Sequence, residues 1–298
     1  DVSGLPPAER PRAVTLSELV AFLRHPAREF LRKRVGSWWG ITRSELDVDD
    51  RDRGTGPSEI PIEVQALESW SLENRLLQLA LAEHPPEAIE QAELRRGLLP
   101  PLARGAQAMA NATGKVGEVL DTVRPYLSSP LEHLDVGVDL PSGIRITGRV
   151  PVRGRTVVEA MTPKPADKRL IEPWLRLLLL TAGSPGDWSA VVCSRRRSVS
   201  LGARGADAAA VQLDALVSLM LEGWDHPLPL PPRLGYTLAD PRAMVDEQRH
   251  AEIWSWDADE TWRLFFADYP SLEDAAAGWG GLEKLAQDTY GPLLEAQR

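Results

Sequence analysis

The sequence predicts an α/β protein of the α+β kind: a mixed sheet flanked by helices, with a helical amino-terminal part and a helical carboxy-terminal tail. Three observations carry this. First, Leu134, Val136, Val138 and Leu140 alternate with Asp135, Gly137 and Asp139. After the Pro141-Ser142-Gly143 turn, Ile144, Ile146, Gly148, Val150 and Val152 alternate with Arg145, Thr147, Arg149 and Arg153, the period of strands with one buried face. Second, a turn at Arg153-Gly154-Arg155 leads into Thr156 to Met161 as a third strand. Third, a leucine-rich helix from about Ala166 to Ala182 is followed by Trp188 to Cys193 as a returning strand. A strand, a crossover helix and a strand favour parallel pairing in a mixed sheet.

The elements follow in order. Residues 1–13, with Pro6, Pro7 and Pro11, read as an extended arm. Thr15-Leu16-Ser17-Glu18 is a capping box, so a helix is due from Leu16, with Leu16, Leu19, Val20 and Leu23 as its apolar face. Pro26 kinks it or begins a new helix, which buries Phe30 and Leu31 and ends at Gly36. Residues 42–61 read as a loop whose middle, Asp47 to Arg53, is dense in charge. Helices are then predicted over about 64–83, with Leu67, Trp70, Leu76, Leu77 and Leu81 in the core, over 87–96, closed by Gly97, and over 102–127.

Past the sheet, a brief strand is due at 198–201 and an amphipathic helix at 206–221, with Val211, Leu213, Leu216, Val217 and Met220 inward. Pro227, Pro229, Pro231 and Pro232 predict an extended connection, followed by short helices near 241–249, 257–268 and 281–297. The expected organisation is an arm (1–13), a helical lead-in with the sheet region (14–225), and a proline-rich connection with an acidic, Trp-rich tail (226–298).

Composition bounds function. The formal charge is −9, but residues 222–298 hold 15 acidic and 6 basic side chains, which leaves 28 of each sign in residues 1–221. An acidic chain is a poor general nucleic-acid binder, though the arginine-rich first part can still carry a local basic surface. The single cysteine, Cys193, excludes an internal disulfide and any four-cysteine metal site, and fits a reducing cytoplasm. No apolar run has the length of about 20 residues that a membrane helix needs, so a soluble, cytoplasmic protein is expected. The chain opens on Asp1 rather than Met, which points to a piece of a longer protein. No Gly-x-x-x-x-Gly-Lys-Ser/Thr phosphate loop is present.

A helix, a three-strand meander, a second helix and a fourth strand is the element order of the PD-(D/E)XK nuclease core. Gly148-Arg149-Val150 resembles the lead-in to the metal-binding aspartate of RecB-type nucleases, and Val157-Val158-Glu159-Ala160-Met161 resembles their apolar-apolar-acid-x-Lys strand. The resemblance puts Pro151 where the aspartate belongs and Met161 where the lysine belongs. Proline cannot ligate a cation and methionine cannot polarise a water, so Glu159 survives alone, too little to hold Mg²⁺. The Gln-x-x-x-Tyr element is missing from 166–183, and the helix over 102–127 has no histidine. The implied fold is nuclease-like and catalytically inactive, with no metal and no cofactor.

Leu16 to Leu31, with Phe22, His25-Pro26 and Arg28-Glu29-Phe30, resembles the opening of the carboxy-terminal region of the RecC family, the gamma subunits of exodeoxyribonuclease V. Leu72 to Leu77, Gly97 to Pro101 and Pro173-Trp174-Leu175 resemble later signatures of that family, and the likeness runs to about Leu221. It implies a non-catalytic module of a RecBCD-type helicase-nuclease in double-strand break repair, with RecB-like and RecD-like subunits and single-stranded or forked DNA as partners. Arg145, Arg149, Arg153, Arg155, Lys164, Lys168, Arg169, Arg195, Arg196 and Arg197 are the candidate strand-guiding cations, by sequence-independent phosphate contacts. Alternating arginines are equally the ordinary solvated face of a sheet. Two other readings stay open: an active nuclease using Glu159 and Lys164, and a protein-interaction domain with no DNA role. His25, His84 and His226 each precede a proline without metal-site spacing, and Cys193 reads as a small buried hydrophobe. Trp224, Trp254, Trp256, Trp262 and Trp279 serve either the core or a partner patch.

Overall fold

Alternating side chains on the central strands bury both faces of one sheet, and that sheet organises the chain in the computed structural model, which describes residues 8, 10–34, 66–165, 168–243 and 245–298. The strands are β1 (Ala13–Thr15), β2 (Leu131–Asp139), β3 (Arg145–Arg153), β4 (Thr156–Ala160), β5 (Ser189–Ser194) and β6 (Arg197–Gly202). Ile146, Val150, Val152, Val157, Ala190 and Val192 face the main core, while Val158, Ala160, Val191 and Cys193 face a second one. Residues 190–194 of β5 are all buried, as a central strand between two helical layers requires.

The main core is closed by α1 (Leu16–Arg24), α2 (Pro26–Arg34), α6 (Lys168–Gly183), α7 (Ala206–Asp225) and the tail helices. The second is closed by α3 (Ala66–Leu81), α4 (Pro86–Arg96) and α5 (Ala103–Val123). The capping box holds: the Glu18 amide donates to Thr15 Oγ1 at 3.2 Å, and the Thr15 amide donates to Glu18 Oε2 at 2.9 Å. Pro26 opens a separate helix, which fits a residue whose missing N–H is harmless in a first turn. The parallel pairing of β4 with β5 across crossover helix α6 is present, with Glu159 opposite Val192.

The edge of β3 gives the fold its cleft. β2 runs antiparallel along all of one edge of β3, so β1 and β4 share the other. β1 pairs parallel with the start of β3, from Ala13 with Arg145 to Thr15 with Thr147. β4 registers with β3 only at the turn, Arg153 with Thr156. Beyond that pair the strands part. Here α1 and α6 close on β3 so tightly that a Cβ at Gly148 would lie 2.8 Å from Leu16 Cβ and 2.9 Å from Leu179 Cδ2.

Several expectations need correction. The three residues of β1 are too few to show a period, so the sequence offers there only the end of an arm and a helix cap. Val211 is 60% exposed, because it lies across α7 from the stripe of Ala209, Leu213, Leu216, Val217 and Met220. The prolines at 231 and 232 begin helix α8 (Pro232–Ala239) instead of extending the connection, since proline suits a first turn. The next helix, α9 (Glu247–Asp257), therefore starts later than 241, capped by Asp246. The aromatic helix shrinks to α10 (Glu260–Arg263), and α11 (Tyr269–Ala276) precedes α12 (Leu282–Ala296). Trp70, Leu81 and Leu31 are only half-buried. Gly36, the loop 42–61, residues 1–7 of the arm, the start of the crossover helix at Ala166 and the side chain of Leu67 lie outside the described residues.

The tail shares the main core. Trp224, Trp254 and Trp262 are buried, Trp279 is half-buried and Trp256 is exposed. Trp262 stacks on His25 of the α1–α2 junction at 5.2 Å between ring centroids, and Tyr290 of α12 donates its hydroxyl to the Leu23 carbonyl at 3.2 Å. Among the described residues no helix is long and apolar enough to cross a membrane.

Candidate functional site

Positions 151, 159 and 161 take three different environments. Pro151 sits half-buried on β3, opposite His133 of β2. Met161 follows β4, its amide donating to the Cys193 carbonyl at 2.9 Å and its side chain packed against the main core. Glu159 faces α6, where Arg176 Nη1 donates to its Oε2 at 2.9 Å. Arg176 also pairs with Glu172, and Arg24 of α1 reaches Glu172 Oε2 at 2.7 Å. Two guanidinium groups thus neutralise two carboxylates where α1, β4 and α6 meet.

Burial pushes the Glu159 carboxyl above the ordinary glutamate range, and Arg176 only partly pulls it back. The network borders a cleft of about 860 Å³ between α1, the β2–β3 pair and α6, lined by Ser17, Arg24, Asp135, Arg145, Arg149, Glu172 and Arg176. Among the described residues no three His, Cys, Asp or Glu side chains are grouped to hold a metal ion. Sequence reasoning missed Arg24, Glu172 and Arg176. The spacing of Glu172 and Arg176, four apart on a predicted helix, was the available signal.

The ten candidate cations do not form one surface. Lys164 and Arg195, Arg196 and Arg197 come together around a cavity of about 330 Å³ beyond the carboxyl ends of the parallel pair β4 and β5, with Glu118 of α5, Thr162 and Ser194. Arg145 and Arg149 line the other cleft, Arg145 bonded to both oxygens of Asp139 at 2.8 Å and Arg149 exposed. Arg153 and Arg155 flank the β3–β4 turn, donating to the carbonyls of Ser129 at 2.9 Å and Pro185 at 2.5 Å. Lys168 and Arg169 open α6, half-buried, with Lys168 inside the field of Asp257. Sequence spacing alone cannot tell these four places apart, because the crossover and the β5–β6 turn bring distant residues together.

Glu118 accepts from Arg195 Nε and Arg196 Nη2, each at 2.7 Å. The bond from Arg195 is the main reason its carboxyl sits below the ordinary range. Glu159 does not line this cavity and Lys164 does, so the two groups serve different places.

Two further groups have structural roles. Cys193 is fully buried, which raises its thiol to about 11. Asp259 caps α10 through the Trp262 amide at 3.0 Å and accepts from His25 Nε2 at 2.8 Å and Arg28 Nη2 at 3.2 Å. Burial works against the ionised form, but His25, the amide and Arg28 outweigh it and hold the carboxyl at about 2. A depressed carboxylate adds stability above its unfolded value that is lost as pH falls through the folded one. The Asp259 contribution, about 1–2 kcal/mol once partial solvation is discounted, should therefore disappear between about pH 4 and pH 2. Asp259→Asn should lower neutral-pH stability by a similar amount and flatten the acid limb of a denaturation series.

Residues 11–243 match the family model described as the RecC C-terminal domain. The chain belongs to that family. It is 31% identical over 248 residues to the RecBCD enzyme subunit RecC of Mycolicibacterium smegmatis, covering 81% of this chain and 22% of that protein. It is 32% identical over 238 residues to the RecBCD enzyme subunit RecC of Mycobacterium tuberculosis CDC 1551, covering 77% of this chain and 20% of that protein. The matched stretch thus spans about a fifth of these RecC proteins. The RecC C-terminal match runs past Leu221, where the sequence likeness faded, and takes in the proline-rich connection and α8.

Proposed function

We propose that this chain is a non-catalytic, nuclease-like module of a RecC subunit, which scaffolds RecB-like and RecD-like partners in a RecBCD-type enzyme of double-strand break repair and guides separated DNA strands. The observation that carries the reading is the Arg176–Glu159 pair at 2.9 Å. A guanidinium neutralises the one carboxylate left from the metal-binding set, while the aspartate and lysine positions hold Pro151 and Met161. The antiparallel turn from β3 into β4 at Arg153 and Thr156, followed by the parallel return of β5, supports it, since this is the strand order of the nuclease core. The name borne by the mycobacterial relatives supports the assignment to a RecBCD assembly. An active nuclease using Glu159 and Lys164 is disfavoured, because the two line different places.

The deciding measurement is cleavage of linear double- and single-stranded DNA by the purified chain in Mg²⁺ or Mn²⁺. No product above background is expected. Metal-dependent cleavage that disappears in Glu159→Ala would overturn the proposal. Co-purification with RecB-like and RecD-like chains tests the scaffold half directly.

A further inference from the structure

We infer that the cavity formed by Lys164, Arg195, Arg196 and Arg197 is a phosphate seat for single-stranded DNA, and that Glu118 is a built-in stand-in for that phosphate. The inference rests on the strand-guiding reading above and narrows it to one of the four places where candidate cations lie. Among the described residues four cations face one carboxylate, an excess of three positive charges along the cavity lining. Lys164 and Arg197 are exposed and have no ion-pair partner among the described residues. By contrast Arg145, Arg153 and Arg155 are already engaged by protein oxygens.

The seat is built into the fold. Ser194 and Arg197 close a two-residue turn between β5 and β6, with the Ser194 hydroxyl donating to the Arg197 carbonyl at 3.2 Å. Arg196 at the tip has φ +55°, a left-handed conformation that such turns normally give to Gly or Asn. An arginine kept there at a conformational cost extends its guanidinium beside those of its neighbours. The cavity shares Glu118 and Arg195 with a second concavity of about 500 Å³, lined also by Ser69, Asn111, Gly114 and Lys115, so the two adjoin at that ion pair and together make up one trough.

Glu118 places one oxygen on Arg195 and the other on Arg196, each at 2.7 Å, as two oxygens of a phosphodiester would. A strand entering the trough exchanges that carboxylate for its own phosphate, so Glu118 weakens binding. Among the described residues no aromatic side chain lines the trough, so recognition falls to the cations and the seat reads backbone.

The test is fluorescence anisotropy of labelled dT20 and dA20 oligonucleotides with the full 298-residue chain and its variants at low and raised salt. Equal affinity for both oligonucleotides is expected. Lys164→Glu with Arg197→Glu should weaken binding by about tenfold or more at low salt and make the salt slope shallower by about 1.4. Glu118→Gln should tighten binding by about fivefold, a gain that impaired folding cannot imitate, while Glu132→Gln, on a strand at the far side of the sheet, should not. If the oligonucleotides bind but the Lys164/Arg197 and Glu118 variants match the parent, the seat lies elsewhere: the inference falls and the strand-guiding reading stands. If the parent fails to bind at low salt, both fall. Competition by dTMP as effective as that of unlabelled dT20 would mark a free-nucleotide pocket and also overturn the inference.

Discussion

Trp262→Ala is expected to lower the unfolding free energy by about 3–5 kcal/mol, the loss typical of a fully buried tryptophan. Trp262 is 1% exposed and lies where the tail meets the amino-terminal helices. Its ring stacks on His25, meets Trp254 edge-on at 6.0 Å and contacts Phe266 at 6.1 Å. Alanine would leave a void that neighbours held by their own hydrogen bonds cannot collapse into, His25 being fixed by Asp259 and by the Arg28 amide, which donates to its Nδ1 at 3.1 Å. Trp256→Ala is the control, because that ring is 53% exposed and contacts mainly the guanidinium groups of Arg249 and Arg233. It should cost less than about 1 kcal/mol. Chemical denaturation reads both, and equal small losses would mean that the tail does not pack on α1 and α2 as described.

Arg176→Met should cost about 2–3 kcal/mol at neutral pH. Breaking a buried pair costs about 3–5 kcal/mol because it strands the partner charge, and the third of Glu159 that is solvated reduces this. Glu159 and Glu172 would then repel each other, with Arg24 still bonded to Glu172. The pH dependence identifies the cause. Burial already raises the Glu159 carboxyl, and losing Arg176 raises it further, so the folded state binds more protons than the unfolded one above the ordinary glutamate range. The variant should therefore regain stability as pH falls from 7 towards 5, and Glu159→Gln in the same background should restore much of the loss at pH 7. A variant as stable as the parent at pH 7 would show that the network contributes little to the fold.

The elements that local chemistry specifies were legible from residues alone. The Thr15–Glu18 box, the two turns of the meander, the alternation of β2 and β3 and the length of the crossover helix each depend on neighbours within a few positions. The candidate site was legible only as positions. Pro151, Glu159 and Met161 could be placed on their strands, but not the guanidinium that meets Glu159 from α6. Likewise Arg195-Arg196-Arg197 was visible as a basic run, while its partner Glu118, 77 residues from Arg195, was not. The tail was misread where proline carries two meanings, chain extension and helix initiation, and Pro232 took the second.

Residue order was enough to set the strands of the meander, the parallel return of β5 and the family. Periodicity and capping act over a few residues, and a strand followed by a crossover helix has one favoured way back to the sheet. Which charges meet was settled by packing in three dimensions. Arg24, Glu172, Arg176 and Glu159 come from α1, α6 and β4, while Lys164, Arg195, Arg196, Arg197 and Glu118 come from a loop, a turn and α5. Their attraction depends on separations of a few ångströms and on how much water lies between them. Both quantities arise only once the two cores have closed on the sheet.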